Sequence, residues 1–275
     1  GINNLSCRAI ESSAGELISS ESNKVNLENP DSEIVVILAG SDDASSHYDE
    51  IKSGDLIVWG IRDNLARGNY TGISPTERPF FKPVTLDPKL ARLMISLSNR
   101  GNVKQTIVDP FCGTGGIAVE AKILGLDVLA SDLDPEMVEG TKENLSWSQG
   151  TGNYWVNRSP ANQIDSIWGI RKNCSFVFDP PYGRNAWTSE ESLSVFLGAL
   201  SSASKMCQNG SVCTILPTVP DALDRLELAQ ITVMGRKWEE IVDEIRATGW
   251  DVFFFAPIRV HRSLSRLVVV CHPAD

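Results

Sequence analysis

The sequence predicts an α/β fold in which helices cover both faces of a doubly wound, mostly parallel sheet of seven strands, with an antiparallel hairpin at the C-terminal end. Three observations support this prediction. Strand-length apolar segments alternate with helical segments from residue 87 onward, which is the pattern of a parallel sheet. A glycine-rich turn joins the first of these strands to a helix. The segments 252–255 and 267–271 then form a final antiparallel pair.

The elements can be assigned in order along the chain. Asp87 is a typical N-cap followed by proline at the first helical position, and it predicts a helix that ends near residue 98. The five parallel strands are predicted at 106–108, 128–130, 154–157, 175–178 and 212–216. Helices are predicted at 116–124, 135–147 and 189–207, and helical segments over roughly 221–248.

A smaller α+β part precedes this series. Apolar residues at helical spacing predict a helix over 6–20, and strands are predicted at 34–39 and 56–61. Residues 68–80 are rich in glycine, proline, serine and threonine and are predicted to be a linker. We therefore expect a small module at 1–67 and a large domain at 81–275.

Composition excludes several classes of protein. The 275 residues are 42% hydrophobic and 22% charged, and no apolar run approaches the ~18 residues of a membrane helix. The start shows no secretory signal. Six cysteines without a CxxC pair indicate reduced thiols rather than a zinc site or disulfides. We expect a cytoplasmic protein with neither a metal nor a membrane partner.

The negative charge is unevenly distributed. The net charge is −10, and residues 1–75 contribute −7 of it, with 12 acids and 5 bases. The C-terminal end instead carries Arg259, His261, Arg262 and Arg266 with few acids nearby. A local basic patch can hold phosphates whatever the total charge, although a solvated hairpin face explains these residues equally well.

The glycine turn and the acid after the next strand indicate a nucleoside site. The turn DPFCGTGG (109–116) follows a strand and opens a helix, and Asp132 ends the following strand. The turn lacks the GxGxxG pattern of a dinucleotide site and the GK[ST] of a Walker loop. Asp109 would repel a pyrophosphate but suits a cationic amino acid moiety, and Asp132 suits a ribose. S-adenosylmethionine, with its ammonium, sulfonium and ribose, matches this charge pattern.

A second motif indicates the methyl acceptor. Asp179-Pro180-Pro181-Tyr182 follows a buried apolar strand, so Asp179 should lie beside the bound cofactor. The Asp179 carboxylate and the Pro180 carbonyl can accept hydrogen bonds from the two N–H groups of an exocyclic base amine. The lone pair of the amine nitrogen then faces the methyl group. Tyr182 would stack on the base. The site requires an extruded or looped nucleotide.

These motifs resemble those of Rossmann-like class I methyltransferases that modify exocyclic amines: DPFCGTGG, SDLDP (131–135) and DPPYG (179–183). Three flanking segments resemble the tRNA guanine-10-N2 methyltransferase family. RPFFKP (78–83) with DPKLAR (87–92) is similar to the entry of its catalytic domain, and VHRSLSR (260–266) is similar to its C-terminal hairpin. VNLENP (25–30) resembles the second half of a THUMP domain, that family's RNA-binding module.

The resemblance implies S-adenosylmethionine as the cofactor, tRNA as the partner and guanine N2 as the acceptor. Asp179, Pro180 and Tyr182 would be catalytic. The cofactor would be bound by Thr85, Asp109, Pro110, Gly113, Gly115, Asp132, Leu133 and Ala161. The substrate would be bound by Pro181, Gly183, Arg184, Arg259, His261 and Arg262.

The sequence departs from the family at two points. Where the family usually has Gly-Asp-Ala, whose carboxylate contacts the adenine amine, this chain has Ser159-Pro160-Ala161, and Asn162 or a backbone group would substitute. The THUMP-like part lacks its first half. Two alternatives remain. Because the Asp179 motif is compatible with the amines of all three bases, one is an N6-adenine or N4-cytosine methyltransferase acting on DNA or rRNA. The two departures leave open the other, a non-catalytic methyltransferase-like RNA-binding subunit.

Overall fold

The chain divides into two compact units, residues 1–69 and 70–275. The computed structural model describes residues 7–20, 24–26, 28, 31–39, 56–62, 74–83, 85–99, 105–181, 189–218, 231–261 and 264–274. Among the described helices, none combines the length and the apolar composition of a membrane-spanning segment.

The first unit contains one helix and one antiparallel pair of strands. Helix α1 runs over Cys7–Ile18, and strands β1 (Glu33–Ala39) and β2 (Leu56–Arg62) pair in a continuous register from Glu33 opposite Arg62 to Ala39 opposite Leu56. These three elements lie where the apolar patterns predict them. Trp59 and Ile61 remain 73% and 70% exposed, so this strand keeps an apolar face open.

The second unit is built on one mixed sheet. Its parallel strands are β3 (Thr106–Asp109), β4 (Val128–Asp132), β5 (Tyr154–Arg158), β6 (Cys174–Phe178) and β7 (Ser211–Thr218). Strands β10 (Trp250–His261) and β11 (Leu264–Pro273) form an antiparallel hairpin. The spatial order is β10-β11-β7-β6-β3-β4-β5, so the winding direction reverses at β3. The predicted mostly parallel sheet with its C-terminal hairpin is confirmed.

Helices cover both faces of this sheet. They are α2 (Pro88–Ser98), α3 (Gly116–Ile123), α4 (Pro135–Trp147), α5 (Ile164–Trp168), α6 (Ser189–Met206) and α7 (Trp238–Ala247). Neighbouring strand residues enter different cores: Ile107 packs in the cluster with α2 and α3, whereas Val108 packs in the cluster with α5 and α6. This alternation is the period of two that a strand imposes.

The structure confirms the helix predicted from the Asp87 cap. The Asp87 carboxylate accepts hydrogen bonds from the backbone N–H groups of Lys89 and Leu90, at 2.9 and 3.3 Å. The described cysteines 112, 174, 207, 213 and 271 are buried thiols.

Helical segments were predicted over roughly 221–248: the part up to residue 230 lies outside the described residues, α7 confirms the last part, and the prediction was wrong for residues 231–237. Strands β8 (Thr232–Val233) and β9 (Arg236–Lys237) form a short hairpin before α7 begins. Met234 and Gly235 make the turn with φ angles of 52° and 81°, which a helix cannot contain. Strands of two residues are too short to produce an alternating pattern of apolar and polar residues.

Candidate active site

A cavity of about 930 Å³ lies at the carboxyl ends of the central strands, where the order of the sheet reverses. Open α/β sheets bind ligands at this position. Ten of the predicted site residues line it: Thr85, Asp109, Pro110, Gly113, Asp132, Leu133, Ala161, Asp179, Pro180 and Pro181. The structure therefore brings the glycine turn, the acid after β4 and the proline pair after β6 into one chamber.

The glycine turn is fixed between β4 and α4. Gly113 and Gly115 adopt φ angles of 51° and 80°, where a side chain would be strained. The Thr141 hydroxyl donates to the Gly113 carbonyl at 2.8 Å. A Cβ on Gly115 would lie 3.1 Å from the Thr141 Oγ1, so a side chain here would press on Thr141. Gly115 is the N-cap of α3 and is not among the cavity-lining residues.

Asp132 is held by two backbone donors. Its Oδ2 accepts from the Gly113 N–H at 2.9 Å, and its Oδ1 accepts from the Asp134 N–H at 3.0 Å. Each carboxylate oxygen can accept further hydrogen bonds, and the residue is only half-buried. A fixed carboxylate with remaining acceptor capacity can accept the two hydroxyls of a ribose.

Asp109 lies deeper, with 1% of its surface exposed. Burial raises the pKa of its carboxyl well above the usual value, and the charges of Asp132 and Asp179 raise it further, although a hydrogen bond from the Phe111 N–H opposes them. Ionising this group in the free protein is therefore costly. A cation entering the cavity would compensate that cost, so the site is electrostatically suited to a positively charged ligand.

Asp179 follows β6 and reaches the cavity from the other side of β3. An ion pair joins its Oδ2 to the Nη1 of Arg266 at 3.5 Å, and the two side chains are 22% and 17% exposed. Arg266 also lines the cavity. The sequence grouped Arg266 with the hairpin arginines as a solvated or RNA-binding residue, whereas the structure turns it inward onto Asp179.

Thr85 reaches the cavity at the end of a segment that is attached to the helices. Arg78 forms a buried ion pair with Glu120 on α3 at 3.3 Å, and the backbone of Phe80 exchanges two hydrogen bonds with the Asn144 side chain on α4. The Thr85 hydroxyl donates to the Lys82 carbonyl at 2.7 Å. The Thr114 hydroxyl, 2.9 Å away, is therefore the donor to Thr85. Residues 78–80, predicted as the end of a linker, belong to this packing.

Tyr182, Gly183, Arg184 and Arg262 lie outside the described residues, and the side chains of Arg259 and His261 on β10 are not described either.

The cavity also contains residues that the sequence motifs did not single out: Phe111, Cys112, Thr114, Met137, Ser194 and Val195. Phe111, Cys112 and Thr114 lie within the recognised glycine turn, whereas Ser194 and Val195 come from α6 and carry no motif.

Two curated archaeal relatives are similar to this chain over most of its length. The tRNA (guanine(10)-N2)-dimethyltransferase of Methanothermobacter thermautotrophicus is 35% identical over 208 residues, covering 75% of this chain and 54% of the relative. The enzyme of the same name from Pyrococcus abyssi is 30% identical over 233 residues, covering 84% and 65%. The chain thus spans between about half and two thirds of the length of these relatives.

The fold is also similar to a solved structure. The crystal structure of TrmN from Thermus thermophilus superposes with a TM-score of 0.51 at 17% identity, covering 100% of this chain and 70% of TrmN.

The family model described as "RMKL-like, methyltransferase domain" matches residues 75–244, which include the glycine turn, Asp132 and Asp179. The chain therefore belongs to the RMKL-like methyltransferase domain family.

Proposed function

We propose that this protein transfers a methyl group from S-adenosylmethionine to the N2 amine of a guanine in tRNA. The observation that carries the proposal is the convergence of Asp109, Asp132 and Asp179 on one cavity at the switch point of the sheet. Asp109 and Asp132 end the neighbouring strands β3 and β4, Asp179 follows β6, and each would face a different chemical group of the reactants.

The charges of the cavity fit the cofactor. Its described lining contains the acids Asp109, Asp132, Asp134 and Asp179 but only one base, Arg266. An acidic chamber disfavours a pyrophosphate and favours a ligand that carries an ammonium and a sulfonium. Asp109 would face that positive end and Asp132 the ribose hydroxyls. S-adenosylmethionine, when bound, supplies a methyl group activated by its attachment to a positive sulfur.

The acceptor amine would be held after β6. The Asp179 carboxylate and the Pro180 carbonyl would accept hydrogen bonds from its two N–H groups, and the nitrogen lone pair would then point at the methyl carbon. The C–S bond breaks as the C–N bond forms, and the amine loses one proton, which Asp179 can take and pass to water. In-line positioning supplies most of the acceleration. Tyr182 stays the predicted stacking residue.

The relatives support guanine in tRNA as the substrate. Both relatives are named tRNA (guanine(10)-N2)-dimethyltransferase, and the methyltransferase family model matches residues 75–244, which include Asp109, Asp132 and Asp179. Residues 1–67 would serve as a partial THUMP-like RNA-docking module, with the hairpin residues Arg259, His261 and Arg262 as further phosphate contacts. A tRNA substrate also favours a cytoplasmic location.

The proposal is tested by product analysis. The protein is incubated with labelled S-adenosylmethionine and unmodified tRNA, and the RNA is digested to nucleosides. We expect labelled N2-methylguanosine or its dimethyl form from the wild type and none from Asp179→Ala. Labelled N6-methyladenosine or N4-methylcytosine would instead identify another base, and no labelled nucleoside from any tRNA would refute the proposal.

A further inference from the structure

Asp109 is a buried carboxyl group whose charge no described residue balances. Only 1% of its surface is exposed, and among the described residues its carboxylate accepts one hydrogen bond, from the Phe111 N–H at 3.1 Å. No ion pair joins it to a described lysine, arginine or histidine. Ionising such a group is costly, because burial removes the water that would stabilise its charge. Asp109 therefore favours either a bound proton or a cation beside it.

The groups around Asp109 increase this cost. Burial is the largest cause of its raised pKa, and the charges of Asp132 at the end of β4 and of Asp179 after β6 add to it. Cys112 in the glycine turn stays a neutral thiol, since burial and the charge of Asp109 raise its pKa well above the usual value. Arg266 is the only base among the described lining residues, and its ion pair is with Asp179. The described surroundings therefore leave Asp109 protonated in the free protein up to a pH well above the usual range of an aspartate.

The proposed cofactor carries a cation that can take the place of this proton. S-adenosylmethionine and its product S-adenosylhomocysteine share an α-amino group, which is an ammonium below pH ~7.7. An ammonium beside Asp109 stabilises the ionised carboxylate and lowers its pKa. In the complex the O–H bond of the Asp109 carboxyl has broken, the proton has left to the solvent, and the ammonium has kept its own protons.

We infer that cofactor binding exchanges the proton of Asp109 for the ammonium group of the cofactor, so that up to one proton is released for each molecule bound. This inference rests on the proposed function and adds the proton dependence of its cofactor site. The proton and the ammonium compete for the same carboxylate, so affinity should rise with pH. The rise should begin above ~4, the ordinary pKa of an aspartate, and end where Asp109 ionises in the free protein.

The test compares two ligands that differ in the amino acid part. S-adenosylhomocysteine carries the ammonium, whereas 5′-methylthioadenosine has the same adenosine and thioether without it. Each is titrated into the full chain by calorimetry from about pH 5.5 to 7.0, below the titration of the ligand ammonium, in two buffers of different ionisation enthalpy, which gives the number of protons released. The Kd of S-adenosylhomocysteine should fall by about fivefold to thirtyfold over this range, because one linked proton changes affinity by at most about tenfold per pH unit. The Kd of 5′-methylthioadenosine should change by less than about twofold, without proton release.

Asp109→Asn should bind S-adenosylhomocysteine with one Kd across this pH range and release no proton, because an amide does not titrate. Asp87→Asn is the matched control. It removes a carboxylate that caps α2 and is not among the cavity-lining residues, and asparagine is an equally good cap. This variant should keep the pH dependence and the proton release of the wild type.

The outcomes separate the inference from the proposed function. If the wild type does not bind S-adenosylhomocysteine at any pH, the proposed function fails. If it binds with a Kd that is flat in pH and without proton release, the inference is overturned and the proposed function stands. Equal proton release with 5′-methylthioadenosine, or undiminished release from Asp109→Asn, also overturns the inference. If Asp109→Asn does not fold or binds too weakly to measure, the comparison of the two ligands on the wild type decides.

Discussion

Glu120 is expected to be the most sensitive buried charge in the second unit. Its side chain is fully buried in α3, and its two carboxylate oxygens face Arg78 at 3.3 Å and Arg92 at 2.6 Å. Burial raises the pKa of Glu120 and the two arginines lower it, with burial the larger effect. Replacement by alanine would leave the buried Arg78 without this carboxylate.

Removing one partner of a buried ion pair typically costs about 3–5 kcal/mol. For a unit of this size each kcal/mol lowers Tm by about 2–4 °C, so Glu120→Ala should lower it by roughly 6–20 °C. Glu120→Gln should lower Tm by less, because its amide oxygen can still accept the hydrogen bond from the Arg92 Nε. In the wild type this nitrogen lies 2.6 Å from the Glu120 carboxylate.

The assay is thermal unfolding of the full chain followed by calorimetry. Glu143→Ala is the matched control: it removes a glutamate from the exposed face of the neighbouring helix α4 and should shift Tm by no more than about 2 °C. If Glu120→Ala unfolds within 2 °C of the wild type, the buried ion pair contributes little and the reasoning is refuted.

Three further predictions concern the cavity and its support. Asp179→Asn should lower turnover by at least about a hundredfold while binding of S-adenosylhomocysteine stays within a few-fold; equal loss of both would make Asp179 structural. Because the raised pKa of Asp109 makes the folded state retain its proton, wild-type stability should fall as the pH rises above ~4, and Asp109→Asn should abolish this fall in Tm scans from pH 4 to 7. Gly140→Ala should cost about 1–3 kcal/mol in denaturant unfolding, since its Cβ would lie 2.0 Å from the Phe80 ring; no loss would mean that the segment moves freely.

The features that the sequence predicted correctly depend on local signals. The N-cap residue and the proline after it mark the start of α2, and this signal lies within a few neighbouring residues. The turn after β3 needs glycines for its positive φ angles. The acids at the ends of β3, β4 and β6 follow apolar runs, so the parallel arrangement alone brings them to one edge. Local pattern and general topology therefore suffice for the cavity and its three carboxylates.

The features that the sequence did not predict depend on contacts between distant residues. Arg78 meets Glu120 across 42 positions, and Phe80 meets Asn144 across 64. The glycine- and proline-rich composition of residues 68–80 predicts a linker. Contacts with side chains of two helices hold the end of this segment in place, and such contacts leave no periodic pattern in the sequence. The five-residue helix α5 was missed because it is too short for a helical repeat to emerge.

The pairing of Arg266 with Asp179 shows how strand direction distributes charge in this site. Parallel strands deliver the residues after their carboxyl ends to the ligand edge, and here those residues are acids. A positive side chain at the start of a strand reaches the same edge only if that strand is antiparallel, as β11 is. Of the described residues that line the cavity, Arg266 alone is basic. The C-terminal hairpin therefore gives the sheet its antiparallel pair and also places the cation beside the carboxylate that would hold the acceptor amine.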